Sequence, residues 1–197
     1  MIELKKTPVI FTVLLLLTLA IVFTFFRANE SLPRIHSGIE ARYQNVAHIS
    51  IEQFETIAAN DIIVFDVRQP EEHAVSHLPN AILLDPSTEP DEFLEDFGAE
   101  IAGKNLIFYC SVGRRSSDML SRLLDDPNVG PELQYSRVVA NLEGGVFAWI
   151  NSERNLVDSQ QQETSKVHPY NDFWGKLIDD KSKQHYQARK PNGLVFD

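Results

Sequence analysis

Four short runs, apolar at nearly every position, constrain this chain more than any other feature. Residues 62–65 read Ile-Ile-Val-Phe, residues 81–84 Ala-Ile-Leu-Leu, residues 106–109 Leu-Ile-Phe-Tyr, and residues 137–140 Arg-Val-Val-Ala. A half-buried strand alternates apolar with polar residues. A run without alternation suits a strand covered on both faces, as in a parallel sheet. A shorter strand is expected at residues 47–49. The segments between carry helical spacing. Residues 90–97 open on Pro90 and an acidic first turn; residues 115–124 put Met119, Leu120, Leu123 and Leu124 on one side; residues 145–150 carry Val146, Phe147, Trp149 and Ile150. Ser50 and Gln53 form a capping-box pattern ahead of a helix with Phe54, Ile57 and Ala58 on one face. Strands alternating with helices predict an α/β domain on a parallel sheet.

The domain plan follows from what flanks these runs. After a short tail, residues 1–6, the segment 7–26 contains no charged residue. Twenty helical residues span roughly 30 Å, the thickness of a bilayer's hydrocarbon core. Its apolar run exceeds that of a cleaved signal peptide and ends on Phe25-Phe26 rather than on small residues, so it reads as an uncleaved single-pass anchor. Lys5 and Lys6 precede it, and Arg27, Arg34 and Arg42 follow, thinly spread. A basic tail running straight into an apolar segment is the pattern of a signal-anchor, which puts the domain on the extracytoplasmic, periplasmic side. Residues 27–45 read as a tether and residues 46–158 as the globular domain. Residues 159–166 read as a flexible linker, leading to a tail whose apolar cluster (Val167, Pro169, Tyr170, Phe173, Trp174, Leu177, Ile178) packs back on the domain.

Charge and cysteine count narrow the chemistry. A net charge of −10 over 197 residues argues against a nucleic-acid partner, although a local cluster of donors can still hold a small anion. The lone Cys110 excludes an internal disulfide, a dithiol redox pair and a four-cysteine zinc site. The six histidines show no metal-ligand spacing, and neither metal nor cofactor is expected.

Cys110 directly follows the run at 106–109 and precedes Ser111, Val112, Gly113, Arg114, Arg115 and Ser116, where an amphipathic helix begins. A cysteine there lies at the carboxyl edge of a sheet, where open α/β folds bind ligands. Free amides and the dipole of a helix N-terminus favour negative charge. Gly113 lets the loop curl so that successive N–H groups point inward, and Arg114 and Arg115 add positive potential. Such surroundings favour the thiolate and hold an anion beside it.

The loop resembles the active loop of the rhodanese family, whose pattern Cys-x-x-Gly-x-Arg is met by Cys110, Gly113 and Arg115. Tyrosine phosphatases use a longer loop that requires arginine at position 116, which is Ser116. Residues 64–81 are similar to a second rhodanese segment, matched at Asp66, Arg68, Glu72, His77, Pro79 and Ala81. His73, Ser76 and Asn80 depart from it. Residues 142–149, with Gly144, Gly145 and Trp149, resemble the family's closing helix. The resemblance implies a three-layer fold with a five-stranded parallel sheet flanked by helices. It also implies sulfurtransferase activity: Cys110 takes sulfur from a small anionic donor such as thiosulfate and passes it, as a persulfide, to cyanide or to a thiol, including a protein thiol. The amides of residues 111–116 would hold the persulfide, with Arg115 assisting.

Other residues have plainer readings. Asp66 and Arg68 are expected to support the site as an internal ion pair bracing the loops, and His77 to make a structural hydrogen bond. The competing function is a membrane-tethered binding or sulfur-sensing module with little turnover, motivated by the anchor and the apolar cluster at 167–178.

Overall fold

The computed structural model describes residues 12–18, 31–57 and 59–188. Contacts divide the chain into two units, residues 1–31 and Leu32–Asp197. In the first unit, residues 12–18 are helical, with Val13 to Leu17 exposed. The rest of the expected anchor, 7–11 and 19–26, lies outside the described residues. Among the described residues no helix is long and apolar enough to cross a membrane.

The second unit is built on five parallel strands: β1 (Ala47–Ile49), β2 (Ile62–Asp66), β3 (Ile82–Leu83), β4 (Asn105–Tyr109) and β5 (Val138–Leu142), in the order β1-β5-β4-β2-β3. β4 is central and buried at every position. Successive strand side chains point to opposite faces, so Leu106 and Phe108 enter one core while Ile107 and Tyr109 enter the other. That is why the run carries no polar alternation. Helices α1 (Leu32–Arg42), α4 (Pro90–Phe97), α5 (Arg114–Asp125) and α6 (Val129–Leu133) serve one face, contributing Ile39, Phe93, Met119, Leu120, Leu123 and Leu133. Helices α2 (Ile51–Glu55) and α7 (Gly145–Asn151) serve the other, with Ile51, Val146, Phe147 and Ile150. A further short helix, α3 (Pro70–Val75), third in sequence order, follows β2. Both faces of central β4 are covered, as its run requires; of the run at 81–84 only Ile82–Leu83 is a strand, an edge one that leaves Ile82 exposed, and the strand expected at 137–140 lies at Val138–Leu142 with Val138 exposed.

Local chemistry sets the helix starts. The Ser50 side chain accepts the Gln53 N–H while the Gln53 side chain accepts the Ser50 N–H, closing the capping box of α2. α3 and α4 each open on a proline, whose missing N–H is not needed in the first turn.

The helix expected to carry Phe54, Ile57 and Ala58 ends at Glu55, with Ala58 outside the described residues, and two longer segments also differ from the sequence expectation. Residues 32–42, read as tether, form α1, which buries Ile39 and is followed by buried Tyr43. The Tyr43 hydroxyl donates to Asp118. One apolar stripe on an otherwise polar segment is a weak signal, and Pro33 and Gly38 masked it. Residues 159–166, read as a flexible linker, include β7 (Glu163–Thr164), which pairs antiparallel with β6 (Leu156–Val157). The turn between them is held by Asp158, whose side chain accepts the N–H groups of Gln160 and Gln162. Beyond it, Val167, Leu177 and Ile178 are buried in the core under α7.

Candidate active site

β4 ends at Tyr109 and α5 begins at Arg114, so Cys110 to Gly113 form a tight loop at the carboxyl edge of the central strand. Gly113 has φ +93°, and a Cβ there would lie 2.9 Å from Asn141 Nδ2; both the turn and the close approach require glycine. The Gly113 N–H points at the sulfur (N to Sγ 3.2 Å). The back of the loop is pinned from α7: Val146 N–H donates to Cys110 O (2.9 Å) and Phe147 N–H to Ser111 O (3.1 Å). Those bonds turn the two carbonyls away from the sulfur. They depend on Gly145, where a Cβ would lie 2.2 Å from Cys110 O.

Cys110 is 1% exposed. Burial alone pushes its thiol up. The nearby Arg115 charge and the N–H groups of Ser116 and Val112 outweigh that, and the net direction is below the ordinary cysteine value. The Ser116 hydroxyl donates to Asn141 Oδ1 (2.6 Å), so the anion relies on the Ser116 amide rather than on its hydroxyl. The sulfur sits at the base of a cavity of about 210 Å³ lined by Ser111, Val112, Arg114, Arg115, Tyr170 and Trp174. Two larger depressions, of about 250 and 430 Å³, do not reach it.

The two arginines differ. Arg115 is held: Nη1 donates to Glu72 Oε2 (2.7 Å), Nη2 donates to Glu72 Oε1 (2.9 Å) and to Ser111 Oγ (3.0 Å), and its guanidinium lies 5.1 Å from the Tyr170 ring centroid. Arg114 is exposed and, among the described residues, has no hydrogen-bond or ion-pair partner. It is the arginine able to turn toward an incoming anion.

Behind the loop lies a buried polar network. Asp66 and Arg68 are both fully buried, joined by Nε to Oδ1 (2.8 Å) and Nη2 to Oδ2 (2.6 Å) bonds. Arg68 also donates to Ser76 O, and Asp66 accepts from the Tyr109 hydroxyl (2.8 Å) and from His73 Nδ1 (2.9 Å). Burial pushes the Asp66 carboxyl up, but Arg68 and His73 bring it down to about 2. Neither Asp66 nor Arg68 lines the cavity; they brace its walls. His77 stacks on His73 with ring centroids 3.8 Å apart, donates from Nδ1 to His73 O and accepts from Gln161 at Nε2. Of the positions where the segment departs from the rhodanese pattern, Asn80 has φ +61°, a conformation asparagine tolerates, and Ser76 is extended. Among the described residues no three His, Cys, Asp or Glu side chains are grouped to hold a metal ion.

The sequence pattern of the rhodanese-like domain matches residues 51–152, more than half of the chain. The chain belongs to the rhodanese-like domain family. A thiosulfate:glutathione sulfurtransferase of Saccharomyces cerevisiae is 31% identical over 97 residues, covering 42% of this chain and 70% of the yeast protein. Among solved structures, a rhodanese-related protein of Thermoplasma volcanium is similar at 23% identity and TM-score 0.41, covering 56% of this chain and 97% of that one. A thiosulfate sulfurtransferase of Pseudomonas aeruginosa is similar at 16% identity and TM-score 0.49, covering 73% of this chain and 25% of that one. The rhodanese-like segment holds the cysteine loop, the Asp66–Arg68 pair, Glu72 and the glycine pair of α7, whereas α1, Tyr170 and Trp174 lie outside it.

The sequence points to the loop and to the Asp66–Arg68 pair but not to the loop's other supports. Glu72 was visible as a motif match without a role. Gly145 was visible in a glycine pair, but its contact with the cysteine carbonyl has no local signature. Tyr170 and Trp174 were visible as an apolar cluster, with nothing to say that they face the sulfur.

Proposed function

We propose that this protein is a sulfurtransferase in which Cys110 thiolate takes the outer sulfur of an anionic donor such as thiosulfate and carries it as a persulfide. The observation that carries this reading is the pairing of a depressed Cys110 thiol with an inward Gly113 N–H at the base of a cavity. In the first half-reaction Sγ attacks the outer sulfur, the donor's sulfur–sulfur bond breaks, and sulfite leaves with the bonding electrons. In the second, an acceptor thiolate or cyanide takes that sulfur and returns Cys110 thiolate. No proton need be removed by a base, because the nucleophile is already the anion. The amides of residues 111–116 hold the persulfide, Arg114 meets the donor's charge, and Arg115 works through its field on the sulfur. Asp66 and Arg68 position the loop. The name of the yeast relative supports a low-molecular-weight thiol as acceptor.

The uncharged segment 7–26 supports a single-pass anchor, and the basic tail before it supports an extracytoplasmic, periplasmic domain. A topology reporter fused after Asp197 tests the side of the membrane; activity of a cytoplasm-specific reporter there overturns the orientation.

Intact mass spectrometry tests the chemistry. Incubation with thiosulfate should add the mass of one sulfur atom to the protein and release sulfite, and both should vanish in Cys110→Ser. A protein that stays unmodified with thiosulfate and with organic thiosulfonates is not a sulfurtransferase.

A further inference from the structure

Two rings from outside the rhodanese-like segment wall the cysteine cavity. Tyr170 and Trp174 line it together with Cys110, Arg114 and Arg115. Both rings are built into place. Tyr170 adopts φ +65°, a region that bulky residues rarely enter. Its N–H is taken by His168 Nδ1 (3.0 Å), and its ring covers the Arg115 guanidinium. Trp174 opens a short turn whose N–H, with that of Phe173, is bound by Asn171 Oδ1. The far end of that turn is anchored by buried Leu177 and Ile178, and Asn151 Nδ2 donates to Leu177 O (2.8 Å). A ring left 47% exposed on a strained backbone, over Arg115 and lining the cysteine cavity, is a wall with a purpose.

The cavity is two-sided. One side offers the loop amides and the unpaired Arg114; the other offers aromatic faces. Its volume of about 210 Å³ equals roughly seven water molecules, room for more than a bare oxyanion. Aromatic faces carry the negative side of a quadrupole, so they give an inorganic anion no attraction and an organic group a good contact. Arg115, beneath Tyr170, has its guanidinium nitrogens committed to Glu72 and Ser111, so that wall is not an anion clamp.

We propose that Tyr170 and Trp174 are specificity-determining residues that select sulfur donors with an organic body, of the form R–SO₂–S⁻ or R–S–S⁻, over inorganic thiosulfate. The inference rests on the sulfurtransferase reading above. The anionic sulfur end meets the loop and Arg114, and the R group lies against the two rings. With a thiosulfonate, Cys110 Sγ bonds to the outer sulfur while the bond from that sulfur to the sulfonyl sulfur breaks. The electron pair departs on the sulfinate R–SO₂⁻, so no external oxidant or reductant is needed.

Benzenethiosulfonate and methanethiosulfonate share the reacting group and differ in ring against methyl. With the purified full chain, kcat/KM for the benzene donor over the methane donor should exceed the same ratio for free cysteine in solution by about tenfold, the size of one good aromatic contact. Trp174→Ala should bring the ratio close to the solution value, while Trp174→Phe, which keeps a ring, should retain most of it. Tyr170→Phe should retain the preference and Tyr170→Ala reduce it. Binding of the product sulfinates to Cys110→Ser protein gives a readout without turnover: benzenesulfinate should bind more tightly than methanesulfinate. Sulfur transfer at equal normalised rates, or a preference that survives in folded Trp174→Ala, overturns the aromatic assignment and leaves the transfer reading standing. No sulfur on Cys110 from either donor overturns both.

Discussion

Glu72 and Arg115 hold each other in a two-point ion pair, at 2.7 and 2.9 Å, with Glu72 buried to 1% and Arg115 27% exposed. The pair ties α3 to the first turn of α5 and so spans the cysteine loop. Glu72 is itself fixed twice more, accepting from Ser111 Oγ and from the Gln69 N–H. Burial alone would raise its carboxyl. Arg115, and more distantly Arg68, reverse that and keep it ionised. The loop thus has a cation beside the sulfur whose charge is partly spoken for.

Replacing Glu72 by Gln removes that partial neutralisation and should have two effects of opposite value. Stability should fall by about 3 kcal/mol, the low end for breaking a buried pair, because Arg115 can still reach water. The Cys110 thiol should titrate lower, since Arg115 then acts on it uncompensated. Urea denaturation measures the first effect and the pH dependence of iodoacetamide alkylation the second. A thiol midpoint that rises in the folded variant contradicts this account of the charge.

Arg115→Gln should do the reverse to the sulfur. In the parent protein the alkylation midpoint should lie below that of an ordinary free cysteine thiol, because Arg115 and the loop amides together outweigh burial. Without Arg115 the loop loses its nearest cation and gains an unpaired Glu72, both of which favour the neutral thiol. The midpoint should move up past that of the parent, and thiolate-dependent rates at neutral pH should fall with it. An unmoved midpoint would mean that the amides alone set the thiol.

How much of this was legible in the sequence depends on the range of each interaction. The apolar runs at 62–65 and 106–109 announced strands β2 and β4 because side chains from both faces enter a core, with the polar Asp66 and Asn105 only at the strand ends. The loop announced itself because its parts are consecutive: cysteine, turn glycine, helix start. Glu72 to Arg115 is a contact 43 residues apart, and Gly145 meets Cys110 from another helix. No local period encodes such pairs. α1 was lost for a different reason: its buried face rests chiefly on Ile39, too little to distinguish a packed helix from a polar tether. The hairpin of β6 and β7 rests on backbone bonds and on Asp158 as a turn acceptor, a role that the polar composition of residues 159–166 conceals.

The Asp66–Arg68 pair predicts an acid limit to stability. The Asp66 carboxyl sits at about 2 in the folded protein and near 3.9 when unfolded. A depressed carboxyl contributes stability that is fully present above about pH 4 and is lost as pH falls toward 2, on the order of 2 kcal/mol. Urea midpoints measured from pH 6 down to pH 3 should decline across that window. Asp66→Asn should flatten the decline. It should also cost about 3–5 kcal/mol at neutral pH, by leaving buried Arg68 without its counter-ion. An equally steep decline in the variant would assign the acid limit to other carboxylates.

Gly145 predicts a coupling between α7 and Cys110. A side chain there has two costs. The backbone is at φ +55°, where an alanine loses about 1–2 kcal/mol. The new Cβ would also stand 2.2 Å from the Cys110 carbonyl oxygen, a backbone atom that cannot rotate away. Relief requires the loop or α7 to shift, which strains the Val146 N–H to Cys110 O bond and turns the loop amides off the sulfur. Gly145→Ala should therefore lower the melting temperature and raise the thiol midpoint together. Gly144→Ala is the comparison: its φ is also positive, at +67°, but its Cβ would meet the Ala148 side chain at 2.6 Å, within its own helix. It should lose stability while leaving the thiol titration near that of the parent protein. If both variants shift the thiol equally, or neither does, α7 is only a packing element and the glycine at 145 has no hold on the cysteine.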